Sequence, residues 1–578
     1  MVALDKQVVD GFWLPRSVRE TLVGAGMVYT TRSFARGRDA SAGDEGAVTA
    51  RWPVPDVDWW ARLLAALEAN RARVPRGEAF WARFEAALPR VARRFADPSD
   101  PLHRAALDTL PTYTGYSEAM IRATLGAMDL WALDQFPAAY RLAPALEAAT
   151  RWQPMGDLPG RLRFYPHGTW ERLAARLPGS ARRPLFDAAR PPDRVIGYAA
   201  GNVPGTALLI SFLALSTTVG SDAPPPVVVV KNSRREPILA PLLLDALEAA
   251  DPDLVATTAV LVWDYADGEV QERMLGAADL VIAAAGDDTI AQIGDSLRRA
   301  ATAVAGAREP RFHRHGHKVS FSAIGRDVLG RGQALDPEGT PLLSAVALLA
   351  ALDSVFWDQH GCLSSRIHFV EVGSDAEYTP VEYGMRLAQA LGLIAPVLPR
   401  GAWPRRRLHD RFDRYKLLEQ TGKVRVVSAY DDEFVVILDE RGLDATGFAA
   451  QVNECEGRVI VVRPVAELME VPEGYLKLVP PGNLQSLSIA TGRPGEGLTE
   501  PFLRFAEACG ARGVTAIRTV GRGAFPQLAY SWDGLVPLDL VRRRTEGHFT
   551  TVEFDTPYDD LVATYRLLLQ KGPVPGAA

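Results

Sequence analysis

DRVIGYAAGNVPGTALL, residues 193–209, reads as a short apolar strand, a sharp turn and the start of an apolar helix. The same unit recurs in PPPVVVVKNSRREPILAPLLLDALEAA (224–250) and in ADLVIAAAGDDTIAQI (278–293), with TTAVLVW (257–263) as a further strand. The strands are nearly unbroken apolar runs, which is what burial on both faces requires. Alternation of such strands with helices calls for a parallel sheet, because parallel neighbours need crossovers and helices supply them.

Outward from this core the texture changes. Residues from about 59 to 152 carry apolar positions at helical spacing, so 1–155 is expected to be a helical N-terminal region. A second α/β region starts near VSFSAIG (319–325), includes the apolar helix 341–357 and the strand RIHFVEV (366–372), and is expected to end near residue 510, leaving 511–578 as a C-terminal segment. At 578 residues the chain can hold several cores. Its 64 basic and 70 acidic side chains leave a net charge of −6, so no overall field recruits nucleic acid or an anionic membrane. Three scattered cysteines make neither a disulfide framework nor a cysteine-rich metal site and favour a reducing, cytoplasmic setting. The runs 206–220 and 341–357 fall short of a membrane span, and the N-terminus lacks the apolar stretch of a secretory signal.

Four turns carry candidate chemistry. Cys362, in DQHGCLSSR (358–366), stands between the apolar helix and a strand, and is either a buried small hydrophobe or a nucleophile. Asn202, in GNVPG, is either a turn asparagine bonding its own backbone or an amide donor to an oxyanion. Lys231 follows a buried strand, and with Ser233 and Arg234 it is either a solvated cap or a holder of ribose hydroxyls and phosphate. In AAAGDDTIAQIG, Gly286 permits close backbone approach while Asp287 and Thr289 open a helix whose amides face a pyrophosphate or are simply capped. His313, His315 and His317 alternate along one strand face but bring no fourth ligand, so no metal site is expected. The dinucleotide fingerprint G-x-G-x-x-G is absent.

In this order, GNVPG, VVVVKNS, ADLVIAAAGDD, HGHKVSFSAIG, FWDQHGCLSSR, GNLQSLSIA and SWDG resemble the aldehyde dehydrogenase superfamily, and within it the acyl-CoA reductases, which include the fatty-acid reductase of bacterial bioluminescence. The resemblance covers roughly residues 190 to 540. It implies an aldehyde dehydrogenase-like α/β fold with two Rossmann-like parallel-sheet domains: a nucleotide-binding domain over 156–318, a catalytic domain over 319–510, and a small bridging arm for oligomerisation in the C-terminal segment. It puts Cys362 at the nucleophile position, Asn202 at the oxyanion position and Lys231 at the nucleotide-ribose position. Where hydrolytic relatives carry a glutamate that activates water, this chain reads RHGHKVSFS with Arg314 or His315. An acyl-enzyme without that base would persist long enough to accept hydride. The expected activity is therefore reduction of an acyl-CoA or acyl-carrier thioester to the aldehyde. The basic turn after Lys231 leans toward NADPH, with NADH as the alternative. Rival readings are an oxidative or CoA-acylating aldehyde dehydrogenase, and an acyl-transfer or scaffold subunit working with an acyl-protein synthetase.

Overall fold

The computed structural model describes residues 8–23, 28–35, 38–40, 47–54, 56–132, 151–155, 158–166, 191–263, 268–303, 310–329, 342–372, 378–480, 482–491, 499–523, 533–534 and 547–553. The chain divides into two compact units, one of residues 1–143, 177–317 and 536–545, the other of 144–176, 318–535 and 546–578.

The first unit is built on a five-stranded parallel sheet. Its spatial order is Arg311–His315, Leu280–Ala284, Arg194–Tyr198, Val227–Lys231, Thr258–Leu261. The chain starts in the middle strand, winds outward to one side, then returns to build the other, so the order reverses between Arg194–Tyr198 and Leu280–Ala284. At such a switch point the two following turns diverge and leave a crevice beyond the strand ends. The middle strand is close-packed: a Cβ on Gly197 would lie 2.5 Å from Ile210 Cγ2 and 3.0 Å from a Val230 methyl, so only glycine lets helix Thr206–Ser216 lie this near the sheet.

The N-terminal region differs from the wholly helical expectation. Before the helices Val57–Arg71, Gly77–Ala96, Pro101–Thr114 and Glu118–Ala132 comes a four-stranded sheet over Val8–Asp10, Tyr29–Ala35, Arg38–Ala40 and Val48–Pro53. Its strands are short and mix charged with apolar residues, which leaves no clean period in the sequence. This region is part of the first unit. Trp13 exchanges backbone hydrogen bonds with Val260 on the edge strand (2.7 and 2.9 Å). Trp60 meets Trp263 edge to face at 5.3 Å.

The second unit carries a ten-stranded sheet in the order Val424–Val426, Val435–Asp439, Val459–Val465, Ser365–Glu371, Val319–Ile324, Leu484–Ala490, Ala516–Thr519, Gly547–Glu553, Leu158–Pro166, Gln153–Met155. All neighbours pair in parallel from Val435–Asp439 through Gly547–Glu553. The last two strands join antiparallel. The expected boundaries at 155 and 510 thus fall inside one sheet: residues 161–166 pair with 547–552 and in turn with 153–154, and 516–519 pair with 486–489. Long-range pairing of this kind leaves no mark on the local sequence. Helix Leu342–Val355, with the turn to Gln359, is long and apolar enough to cross a membrane, but 83% of that stretch is buried against its own unit, as suits a core helix.

Replacing Gly197 with Ala inserts a methyl where there is no room. Thermal unfolding should show the first unit losing about 1–3 kcal/mol, and an unchanged midpoint would contradict the packing described.

Candidate active site

Cys362 lies in the loop that leads from the core helix into strand Ser365–Glu371, and therefore at the N-terminal edge of the large sheet. The conformation of this loop is unusual. Trp357, Asp358 and Gln359 are consecutive non-glycine residues at positive φ (54°, 47° and 61°), each costing on the order of 1–3 kcal/mol. Something must hold them, and Asp358 does. Its fully buried carboxylate accepts from Arg458 Nε at 2.8 Å and from the Gly401 amide at 3.0 Å, while its carbonyl accepts from the Gly457 amide at 2.9 Å. Arg458 also donates to the Leu398 carbonyl at 2.7 Å. Gln359 donates to Ser365 O (3.1 Å) and Ser364 Oγ to Phe356 O (2.9 Å), closing the loop on itself.

The starts of adjoining strands complete the surroundings. Ser320 Oγ donates to the Cys362 carbonyl at 2.7 Å and receives a hydrogen bond from Ser486 Oγ at 2.8 Å. Gln485, beside Ser486, donates from Nε2 to Asp533 Oδ1 at 2.6 Å. Cys362 is half-buried as a residue, whereas Cys455 and Cys509 are fully buried. Loss of hydration, reinforced by the Asp533 carboxylate, pushes the Cys362 thiol up to about 12, against the opposing pull of the Gln485 side chain, its own amide and Lys318. The resting group is a thiol. His360 is turned elsewhere: its Nδ1 meets Glu456 at 2.9 Å and its ring packs on Trp403.

In the first unit the other predicted residues gather at the C-terminal edge of the five-stranded sheet. GNVPG follows Arg194–Tyr198, KNSRRE follows Val227–Lys231, and Gly286 follows Leu280–Ala284. Gly201 brings the first two turns together, since a Cβ there would fall 2.1 Å from Ser233 Oγ. Lys231 is only 8% exposed and lies over the Trp263 ring at 5.7 Å. Ser233 Oγ accepts from the Arg235 amide (3.1 Å), and Ser233 and Arg234 are half-buried. Gly286 is exposed, with open space where a Cβ would be. Asp287 and Thr289 stand in the first turn of helix Asp287–Ala303. The Asp287 carboxylate accepts from the His317 amide at 2.7 Å. His313 and His315 meet edge to face at 4.7 Å, and no cluster of potential metal ligands occurs among the described residues.

Two residues that motif reading passed over hold the Asn202 turn. Tyr116 OH donates to the Asn202 carbonyl at 2.5 Å. The buried Glu236 carboxylate accepts from the amides of Gly205 (3.1 Å), Ile238 (3.0 Å) and Leu239 (2.8 Å), bridging the starts of two helices. Burial pushes this carboxyl up and the three amides oppose it. Glu236 sits inside the quoted KNSRREP run, and an acid just before an apolar helix was its signal.

A switch-point crevice between the GNVPG turn and a glycine-opened helix, with a buried lysine at the end of the neighbouring strand, suits a dinucleotide. Asn232 fits the same purpose: it is 1% exposed, and its Nδ2 has no hydrogen-bond partner among the described residues. Two such units, one offering this crevice and the other a loop-borne cysteine, define an aldehyde dehydrogenase-like protein.

Solved structures agree on the fold. The chain is similar to a salicylaldehyde dehydrogenase from Pseudomonas putida G7 (TM-score 0.54, 14% identity, 90% of this chain and 95% of that one). It is also similar to aldehyde dehydrogenase 21 from Physcomitrella patens (0.53, 12%, 90% and 98%) and to an aldehyde dehydrogenase from Brucella melitensis biovar abortus 2308 (0.53, 11%, 96% and 100%). No curated protein matches it. The family model for acyl-CoA reductase (LuxC) matches residues 180–544, and the chain belongs to that family. It is an oxidoreductase of the acyl-to-aldehyde class.

Two expectations follow. Breaking the buried pair with Arg458→Met should lower stability by about 3–5 kcal/mol, seen as an earlier midpoint in denaturant; an unmoved midpoint would remove the clamp from the account. Because thiolate is scarce below a pKa near 12, iodoacetamide should label Cys362 slowly at neutral pH and about tenfold faster per pH unit thereafter. A plateau already reached near pH 9 would contradict the raised value.

Proposed function

We propose that the protein reduces an acyl thioester, carried on CoA or a carrier protein, to the aldehyde through an acyl-enzyme on Cys362, with NADPH as reductant. The observation that carries this reading is the placement of Cys362: a half-buried cysteine on a loop fixed by a buried ion pair, in a chain whose other cysteines are sealed in the core.

The Cys362 sulfur attacks the thioester carbonyl. Its proton passes to the departing thiol, so one S–H and one S–C bond are exchanged for another of each. Oxyanion stabilisation is assigned to the Asn202 side-chain amide and the Cys362 backbone N–H. Tyr116 and Glu236 hold this turn at the Asn202 carbonyl and the Gly205 amide. When bound, the reduced nicotinamide would supply a hydride to the acyl-enzyme thioester, and one proton taken up from solvent completes the thiohemiacetal. Collapse of that adduct returns its hydroxyl proton to sulfur, frees the thiol and releases the aldehyde.

Lys231, Ser233 and Arg234 are assigned to the ribose and its phosphate. Two arginines and a lysine over 231–235, with no acid before Glu236, suit a 2′-phosphate better than a free 2′-hydroxyl. Gly286, Asp287 and Thr289 are assigned to the pyrophosphate side, where backbone amides at the helix start are the donors. The segment around His315 offers no carboxylate of its own to activate water, which favours hydride over hydrolysis as the fate of the acyl-enzyme.

The test is turnover with acyl-CoA of several chain lengths and either reduced nicotinamide, followed by loss of cofactor absorbance and by aldehyde appearance. Asn202→Ala should slow acylation by on the order of 10²-fold or more, and Arg234→Ala should raise the KM for NADPH more than that for NADH. Undiminished acylation without the amide would remove Asn202 from the mechanism, and consumption of neither cofactor would overturn the reductase reading.

A further inference from the structure

Ser320 is the second residue of strand Val319–Ile324, which lies beside the strand that the Cys362 loop leads into. Pairing is irregular at this position on both sides. Between Ser320 and Phe321 one neighbour advances from Ser365 to Ile367, and between Val319 and Phe321 the other advances from Leu484 to Leu487. Each neighbour thus carries one extra residue opposite Ser320. Irregularities of this kind re-aim a side chain at a sheet edge, and here the Ser320 hydroxyl is aimed at the Cys362 loop.

A hydroxyl has one proton to give and two lone pairs to fill. The Ser320 proton goes to the Cys362 carbonyl at 2.7 Å. The lone pairs receive the Ser486 hydroxyl at 2.8 Å and the Ser486 amide at 3.3 Å. Both serines are buried, and with every valence used the Ser320 hydroxyl has a single orientation. The peptide on the other side of Cys362 is fixed as well, since the Gly361 carbonyl accepts from the Ser364 amide at 3.1 Å. Gly361 is itself pressed into the loop: a Cβ there would lie 3.1 Å from Trp357 Cδ1 and 3.2 Å from Ser364 Oγ. Hydrogen bonds on both peptide planes that meet at Cys362 set its φ and ψ, and with them the direction of its Cα–Cβ bond and of its N–H. The Ser364 bond lies within the loop. The Ser320 bond comes from a neighbouring strand and ties Cys362 to the sheet.

We propose that Ser320 is a positioning residue for Cys362: its hydroxyl, clamped by Ser486, holds the Cys362 carbonyl so that sulfur and N–H keep one placement as the acyl group arrives. A rotated peptide would carry the sulfur off line, and a displacement of about 1 Å costs on the order of 10²-fold in rate. The part of Ser320 in turnover rests on Cys362 being the acyl acceptor, while its hold on the loop does not.

Ser322 supplies the comparison. It lies two residues along the same strand, is equally buried, and its hydroxyl pairs with Ser365 Oγ at 2.8 Å rather than with Cys362. Ser320→Ala should let the loop open more often, so that iodoacetamide at one fixed pH labels Cys362 about three- to tenfold faster, the worth of one hydrogen bond. Acyl transfer to Cys362 from saturating long-chain acyl-CoA should slow by about tenfold or more. Ser322→Ala should change neither rate. A role in packing alone would lower the unfolding midpoint of both variants and leave both rates as they are. If Ser320→Ala unfolds, Cys455 and Cys509 are labelled too; Ser486→Ala, which unclamps the Ser320 hydroxyl but keeps its bond to the carbonyl, then takes its place with smaller shifts in the same two directions. Unchanged or slower labelling of Cys362, unchanged acylation, or the same shifts in Ser322→Ala would overturn the proposal. If the unaltered protein forms no acyl adduct on Cys362, the acyl-enzyme reading falls, and the labelling comparison alone upholds or overturns the hold of Ser320 on the loop.

Discussion

A single buried ion pair, Asp358 with Arg458, holds the turn on which the reactive sulfur depends. Three consecutive side chains in left-handed backbone are not a conformation the chain adopts unaided. The pair, with the amides of Gly401 and Gly457, converts a costly loop into a fixed one. From that turn the chain enters strand Ser365–Glu371 in a set register, and the strands on one side of it bring Ser320, Gln485 and Ser486 to the same edge. The loop carrying Cys362 is thus placed at the starts of parallel strands rather than at their ends, where open α/β sheets usually hold ligands.

The five-stranded sheet follows the usual rule. Its switch point opens the crevice, and small or buried residues bring the turns close: Gly201 against Ser233, Glu236 against the amides of two helices, Trp263 beneath Lys231. The N-terminal helices belong to this arrangement through Tyr116 and Trp60. They brace the turn carrying Asn202 and the aromatic platform under the lysine.

Much of this was legible in the sequence. Buried parallel strands announce themselves as apolar runs such as VVVV and LVIAA, and the turns after them can be read from glycine, proline and lysine at the strand ends. Cys362 stands out because the chain has few cysteines. What could not be read depends on register. Ser320 and Ser486 are far from Cys362 in the chain and stand at the same sheet edge only through strand pairing, which no local pattern encodes. The left-handed run of Trp357, Asp358 and Gln359 was equally hidden, since of the three only aspartate visits that region with any frequency; the run is held by Arg458. The mixed sheet of residues 8–53 was missed because its strands lack alternation, and the boundaries near 155 and 510 because distant strands complete one sheet.

The account's central claim is that the sulfur of Cys362 carries the acyl group. The most direct measurement is peptide mapping by mass spectrometry after incubation with a long-chain acyl-CoA, with and without reduced nicotinamide. The account predicts an acyl mass on the peptide holding Cys362, cleaved by hydroxylamine as a thioester, that accumulates without cofactor and is discharged as aldehyde when cofactor is added. An acyl group found elsewhere, or one on Cys362 that reduced cofactor leaves in place, would contradict it.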